Sequence, residues 1–460
     1  MSMRTETSDP VSVPLVTEPW GMWRTLKEVR QNILSIIPQI ATSQPIVSGK
    51  MVKRWHMIMD PTALRQVLLE RLEIYPKSEV TKNLLKPAIG ESLFIAEGAH
   101  WRWQRRTAAP VFSQRNVMNL SPVMSAAAER CAQRISTHVP NSAINFFDEM
   151  ITTTFDVIAD VTFSGDESFD RNNIHTAIES YISEAGKVSL LDILALPSWV
   201  PRPNRLLTGW GLTETKEIAD RVIEARKRYG AADPPDLLDL LLEGEDPDTK
   251  RKMKTAELRE NLLTFIVAGH ETTALSLSWA LYLCAFDTEV QAKARSEAQS
   301  VLSDGRAATG DDVSQLPYIR HIIDEALRLY PPAGMVSRTA IAKDELCGRA
   351  IRPGDTVILP FYALHRNELL WDHPNSFYPE RFSSSKSIER YAYLPFGDGP
   401  RICIGASFAL QEAVIILATL LSRFEFIRVP GRDPKPVMIL TLRPEGGVWL
   451  TTNQISKTTK

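Results

Sequence analysis

The sequence predicts a mainly α-helical protein organised as one large domain. A long apolar segment runs over Asn261 to Phe286, and a second helical run, rich in Ala, Leu and Ile, spans Ala406 to Phe424. After residue 20 the chain shows no low-complexity linker, repeat period or sharp change of composition. Residues 1–20 are therefore expected to be a polar N-terminal segment and residues 21–460 the domain. At 460 residues, 44% hydrophobic and 23% charged, the chain can bury a large core. The Pro-rich patches at 197–203, 233–235 and 331–332 read as loops between helices rather than domain seams.

A formal net charge of −2 argues against a general nucleic-acid binder. Cys131, Cys284, Cys347 and Cys403 have no paired spacing, which points to a reducing compartment. Met1 to Pro19 lacks a signal-peptide core, and the apolar stretch Asn32 to Ala41 is short and broken by Pro38. Asn261 to Phe286 is long enough to cross a bilayer. His270 and Glu271 fall in its middle, however, and an ionisable pair there is costly in lipid. The expectation is a buried central helix in a cytoplasmic protein without a membrane anchor.

Along the chain, His100 to Arg106 opens a probable helix. Trp101 and Arg105 stand i, i+4, so an indole N–H and a guanidinium share one side. A basic surface turn is the alternative. Thr255 is expected to cap the long helix, with Glu257 in its acidic first turn. Within that helix Gly269, Thr272 and Thr273 make a weak turn, because Thr hydroxyls can capture carbonyls one turn back. An opened turn carrying a carboxylate and a hydroxyl can hold water and pass protons; close packing on a neighbour explains the same residues.

Tyr318 to Tyr330 reads as a helix ended by Pro331-Pro332, with Glu325 and Arg328 on one face. A lone pair at that spacing is usually solvated and worth little. About fifty residues on, Phe377 to Phe382 frames Arg381 with aromatic and proline residues.

Phe396-Gly397-Asp398-Gly399-Pro400-Arg401-Ile402-Cys403-Ile404-Gly405 sets one cysteine in a tight turn just before a helix. Gly397, Gly399 and Pro400 force the turn, and Gly405 is expected to admit a closely approaching backbone. The helix end is expected to favour thiolate over thiol. Such a thiolate can be a nucleophile, a zinc ligand or an iron ligand. No papain-like or caspase-like signature and no C-x-x-C is present, whereas one axial bond to haem iron needs only this cysteine. A simply buried cysteine is the remaining alternative.

The decapeptide resembles the haem-ligand loop of the cytochrome P-450 superfamily, with every fixed position filled. Four further matches follow in family order. Ala268 to Thr273 resembles the oxygen-activation motif, Glu325 and Arg328 its Glu-x-x-Arg, Pro379 to Phe382 its Pro-Glu-Arg-Phe, and Trp101 with Arg105 its Trp-x-x-x-Arg. The resemblance implies the cytochrome P-450 fold: mainly α with a smaller β region, and a long central helix over the haem. It implies haem b (iron protoporphyrin IX) as cofactor, with Cys403 on the iron and Phe396 in the ligand loop. Trp101, Arg105, Arg401 and the more variable Arg338 would hold the propionates, and Ala268 and Gly269 would face the iron. Thr272 would supply the oxygen-contacting hydroxyl and Glu271 the acid. Glu325, Arg328 and Arg381 would form a buried structural triad.

The implied activity is a haem-thiolate monooxygenase that uses O2 to hydroxylate or epoxidise a hydrophobic small molecule such as a fatty acid, terpenoid or aromatic compound. No Gly-x-Gly-x-x-Gly fingerprint follows a strand, so electrons must come from an external NAD(P)H-linked partner, a ferredoxin or flavodoxin with its reductase. Arg102, Arg106 and Arg115 are a candidate basic face for it. A haem-dependent isomerase, dehydratase or peroxygenase, or a non-catalytic haem sensor, are the rival readings. Substrate contacts are expected from Tyr75 to Gly98, from Tyr181 to Trp199 and from Pro332 to Val336. Leu190 to Trp199 reads equally as entrance or core. Arg at 401 and Glu at 271 lean toward fatty-acid-hydroxylase-like and microsomal-like branches.

Overall fold

The long apolar segment folds as one helix, Thr255–Phe286, in the computed structural model. The structure describes residues 9–18, 20–50, 53–163, 176, 209–383 and 388–455. Leu275, Leu277, Trp279 and Leu281 are fully buried, so this helix crosses the interior on all its faces. It packs along the helices Phe146–Phe163 and Gly209–Tyr229. The N-cap is Lys254, not Thr255, and the Glu257 side chain accepts its backbone N–H at 2.9 Å. The first-turn acid, rather than a threonine hydroxyl, satisfies this end.

The weak turn does not break the helix. Thr272 donates its hydroxyl to the Ala268 carbonyl at 2.7 Å, and Thr273 to that of Gly269 at 3.1 Å, while the helix continues. A Cβ on Gly269 would stand 3.3 Å from Ile158 Cδ1, so the glycine also serves close packing on the neighbouring helix.

Ala406–Arg423 forms the second long apolar helix; Phe424 already begins the strand Phe424–Arg428. Among the described residues this is the one helix long and apolar enough to cross a membrane, and most of it is buried inside the protein. It lies against Ser121–Ser136 and Thr288–Val301.

The β region is small. One sheet has the order Ile46–Lys50, Arg54–Ile58, Thr356–Leu359, Val336–Thr339, antiparallel at both edges and parallel in the middle. A separate hairpin pairs Lys435–Met438 with Leu442–Glu445. Residues 9–18 pack onto the same body: Val13 is buried and donates its N–H to Tyr362 Oη at 2.8 Å. The stretch Tyr75 to Gly98 contains the helix Glu79–Ile89, capped by the Ser78 hydroxyl.

Candidate active site

Cys403 lies three residues before the helix Ala406–Arg423, in a loop closed by its own N–H donating to the Phe396 carbonyl at 2.9 Å. Gly397 and Gly399 have φ of +70° and +72°. A Cβ on Gly399 would fall 2.2 Å from the Leu68 carbonyl oxygen, so the close backbone approach occurs there. At Gly405, where it was expected, a Cβ would meet nothing within 4 Å. Gly405 instead borders a cavity of about 1240 Å³, which Cys403 also lines. Cys403 is accessible, but only from the cavity, for the protein encloses it. Burial pushes its thiol up, against the opposing pull of the Gly405 amide and the Arg105 charge. Burial thus opposes the pull of the groups around this sulfur.

The same cavity is lined by Trp101, Arg105, Arg338 and Arg401, drawn from one helix, a sheet edge and the cysteine loop. Trp101 is buried with the Arg401 guanidinium over its ring, 4.3 Å from the centroid. Arg401 donates to the Ala96 carbonyl at 3.0 Å and pairs with Glu97. Burial lowers Arg105 and Arg401, and holds Arg338 down to about 10. Arg338 Nε is buried without a hydrogen-bond partner. Lys77 joins them; burial pushes it well down and the Arg338 and Arg401 charges push further.

Buried cations facing an open cavity call for an anion. A macrocycle with two carboxylates and a central iron fits this donor set. Guanidinium groups and an indole suit the carboxylates, one sulfur suits the metal, and Gly405 leaves the ring its space.

On the far wall Ala268, Gly269, Thr272 and Thr273 line the cavity. Glu271 does not join them: its side chain is buried on the other side, against the hairpin. Its Oε1 accepts from Thr441 Oγ1 at 2.7 Å and from Arg443 Nε at 2.6 Å.

Glu325 and Arg328 are fully buried and joined by two hydrogen bonds of 2.7 and 2.8 Å. Arg381 Nε donates to Glu325 Oε1 at 2.9 Å, so the expected triad assembles. Arg328 also donates to the carbonyls of His365, Pro374 and Ser376, which ties two loop segments together.

The cytochrome P450 family profile matches residues 14–452. The chain belongs to the cytochrome P450 family. It is 31% identical over 427 residues to the cyclooctat-9-en-7-ol 5-monooxygenase of Streptomyces melanosporofaciens, covering 92% of this chain and 90% of that one. It is 30% identical to the rat cytochrome P450 4A12 over 85% of this chain and 80% of the relative. An Arabidopsis thaliana cytokinin hydroxylase is 30% identical over 84% of this chain and 76% of its own. Among solved structures, the haem domain of cytochrome P450DA superposes with a TM-score of 0.79 at 26% identity, covering 90% of each chain. The protein is a cytochrome P450 monooxygenase with a haem cofactor.

In this P450 Trp101, Arg105, Ala268, Gly269, Thr272, Arg338, Phe396, Arg401 and Cys403 line one cavity, whereas Glu271 and the Glu325, Arg328 and Arg381 triad do not. Lys77 and Glu97 were missed, because neither carries a short motif; Glu97 accepts the Lys77 N–H at 2.9 Å and so joins the two. The basic face is largely neutralised. Arg106 pairs with Asp246 at 2.7 Å and Arg102 with Glu73, which leaves Arg115 exposed. His365 is fully buried and His373 has φ of +47°. Of the substrate segments, Lys77 to Leu85 and Pro332 to Val336 contribute to the cavity wall. Tyr181 to Trp199, with Leu190 to Trp199, lies outside the described residues.

Proposed function

We propose that Cys403 would hold the iron of haem b and that the enzyme inserts one oxygen atom into a hydrophobic small molecule. The observation that carries this reading is the meeting of Cys403 with a group of buried cations, among them Arg338 with its unpartnered Nε, on a single cavity. Bound haem supplies the redox chemistry that activates dioxygen, and metal coordination deprotonates a thiol. The remaining tasks fall to this chain. Trp101, Arg105, Arg338 and Arg401 hold the propionates, and Lys77 adds a fifth donor. Phe396 closes the loop under the sulfur through its carbonyl. Ala268 and Gly269 keep the opposite wall low, Thr272 holds and hands on a proton at Oγ1, and Glu271 provides it.

Leu85, Leu93, Phe112, Phe265, Met335 and Leu440 give the cavity apolar walls, which support a fatty acid, terpenoid or aromatic substrate. Relatives named cyclooctat-9-en-7-ol 5-monooxygenase and cytokinin hydroxylase support a small molecule as the species oxidised. Electrons come from a ferredoxin or flavodoxin with its NAD(P)H-linked reductase. We place the protein in the cytoplasm, in keeping with four free cysteines.

The test is a ligand screen by shift of the haem absorption band, followed by turnover of the hits under isotopically labelled dioxygen. One labelled oxygen per product molecule is expected. Unlabelled product, or turnover without added electrons, contradicts the reading. Thr272→Ala should raise peroxide released per electron consumed, and unchanged coupling removes Thr272 from the proton path.

A further inference from the structure

Glu97 stands directly before the helix Gly98–Ala108, where an acid commonly caps the first turn, yet its side chain makes no capping bond. Its backbone carbonyl accepts the Trp101 N–H at 3.2 Å, which builds the residue into the helix start. The carboxylate turns away. Oε1 accepts the Lys77 backbone N–H at 2.9 Å, and Oε2 accepts from the Arg401 guanidinium. Arg401 is held to the same segment by the Ala96 carbonyl, at 3.0 Å, and by the Trp101 ring beneath it. Lys77 is tied in turn to the sheet edge. It forms a bridge pair with Arg338, and Thr339 donates its N–H to the Pro76 carbonyl at 3.0 Å. Trp101 and Arg105 ride on the helix, Arg401 on the cysteine loop and Arg338 on the sheet edge. One carboxylate therefore joins all the elements that bring these donors to the cavity. Glu97 itself lies behind them, 29% exposed at its side chain, and does not line the cavity.

We propose that Glu97 is a positioning residue for the cofactor, fixing Arg401 and the Lys77 segment so that the propionate donors act as one set. The proposal rests on the assignment of Trp101, Arg105, Arg338 and Arg401 to the propionates made above. A long side chain that is free to swing must be immobilised when it binds a carboxylate, and fixing it beforehand removes that cost. Glu97 and Ala96 each take one guanidinium N–H of Arg401, and the remaining donors of the fork are left for a propionate. Two effects oppose each other here. A carboxylate behind Arg401 repels a propionate in front of it, which by itself weakens cofactor binding. Arg401 stands between the two anions and offsets that repulsion, while its charge-assisted bond to Glu97 acts at contact. Positioning is the larger effect. The sign separates the alternatives: a carboxylate acting only through its charge would tighten haem binding on removal, whereas one that positions Arg401 loosens it.

The experiment measures the rate of haem transfer from the loaded full-length protein to excess apomyoglobin. Wild type is compared with Glu97→Gln, Glu97→Ala, Arg401→Ala and the last two combined. In Glu97→Ala transfer should quicken by about tenfold or more, the worth of one hydrogen bond to a charged group. Glu97→Gln keeps an acceptor for the Lys77 N–H and loses the charge held against Arg401, so its rate should fall between the two. In the Arg401→Ala background, Glu97→Ala should add less than about threefold, since only the Lys77 segment is left for Glu97 to hold. Amide hydrogen exchange gives a readout independent of transfer. The Lys77 amide should exchange slowly in wild type and Glu97→Gln, and fast in Glu97→Ala. Unchanged or slower transfer in Glu97→Ala overturns the proposal. So does a loss of the same size with and without Arg401, which would mark a general loosening of the fold. The underlying assignment has its own outcome. If Arg401→Ala keeps haem as wild type does, Arg401 leaves the propionates and the proposal falls with it. Fast transfer in Arg401→Ala beside wild-type transfer in Glu97→Ala upholds that assignment and overturns only the role of Glu97.

Discussion

The backbone N–H of Leu394 donates to Nε2 of His365 at 2.9 Å, in the segment that leads to the Cys403 loop. The other ring nitrogen stands 3.2 Å from the Arg328 carbonyl, so the imidazole must be neutral with its proton on Nδ1. Protonation would set an N–H against an N–H.

That arrangement has a pH signature. Burial, then the Arg328 charge, pushes His365 down to about 3, from an ordinary value near 6.5. Below 6.5 the unfolded chain binds a proton that the folded chain refuses, so stability falls as pH drops from 6.5 toward 3. At pH 5 the loss from this group is about 2 kcal/mol. Denaturation of wild type and His365→Gln between pH 5 and 7.5 checks it. The variant should show a shallower slope whatever its absolute stability, and equal slopes contradict the assignment.

Arg338 should trade stability for cofactor. Its buried, unpartnered Nε and its lowered pKa mean that the charged form is poorly solvated without an anion. Arg338→Met is expected to stabilise the cofactor-free protein by about 1–3 kcal/mol, the cost of an uncompensated buried polar group. The same variant should lose haem faster to an apo-acceptor. A destabilised apoprotein would mean that the guanidinium has partners enough within the chain.

Gly399 and Gly405 should answer differently to alanine. At Gly399 a Cβ meets the Leu68 carbonyl at 2.2 Å and φ is +72°, so Gly399→Ala should cost the apoprotein at least about 1–3 kcal/mol. At Gly405 nothing within 4 Å opposes a Cβ, and φ is −90°. Gly405→Ala should leave apoprotein melting within about 0.5 kcal/mol of wild type while lowering haem occupancy. Full occupancy in Gly405→Ala contradicts the placement of the macrocycle.

The triad should behave as a structural element. Arg381→Ala leaves Glu325 and Arg328 with less than their full set of partners in a dry interior, at about 3–5 kcal/mol. Thermal unfolding should show the loss, and turnover per haem in the surviving fraction should stay near wild type. A normal melting point with abolished turnover would assign Arg381 a direct role.

What the sequence made legible follows the length scale of each signal. Cys403, Trp101 with Arg105, and Glu325 with Arg328 sit in short motifs, and each lies where its local pattern placed it. Lys77, Glu97 and Arg443 could not be found that way, because their partners lie twenty to more than three hundred residues away and no periodicity links them. Glu271 shows the limit most clearly. Its motif marked it as a proton donor, but which side of the helix it faces depends on Thr441 and Arg443, 170 and 172 residues downstream. The helix end beside Cys403 is likewise visible in sequence, whereas the burial that pushes its thiol up is not.

The most direct test of the account is the absorption spectrum of the reduced, carbon monoxide-bound protein, for wild type and Cys403→Ser. A thiolate-type Soret band, the mark of sulfur ligation to haem iron, is expected in the wild type and lost in the variant. An imidazole-type spectrum in wild type, or a thiolate-type band that survives Cys403→Ser, would contradict it.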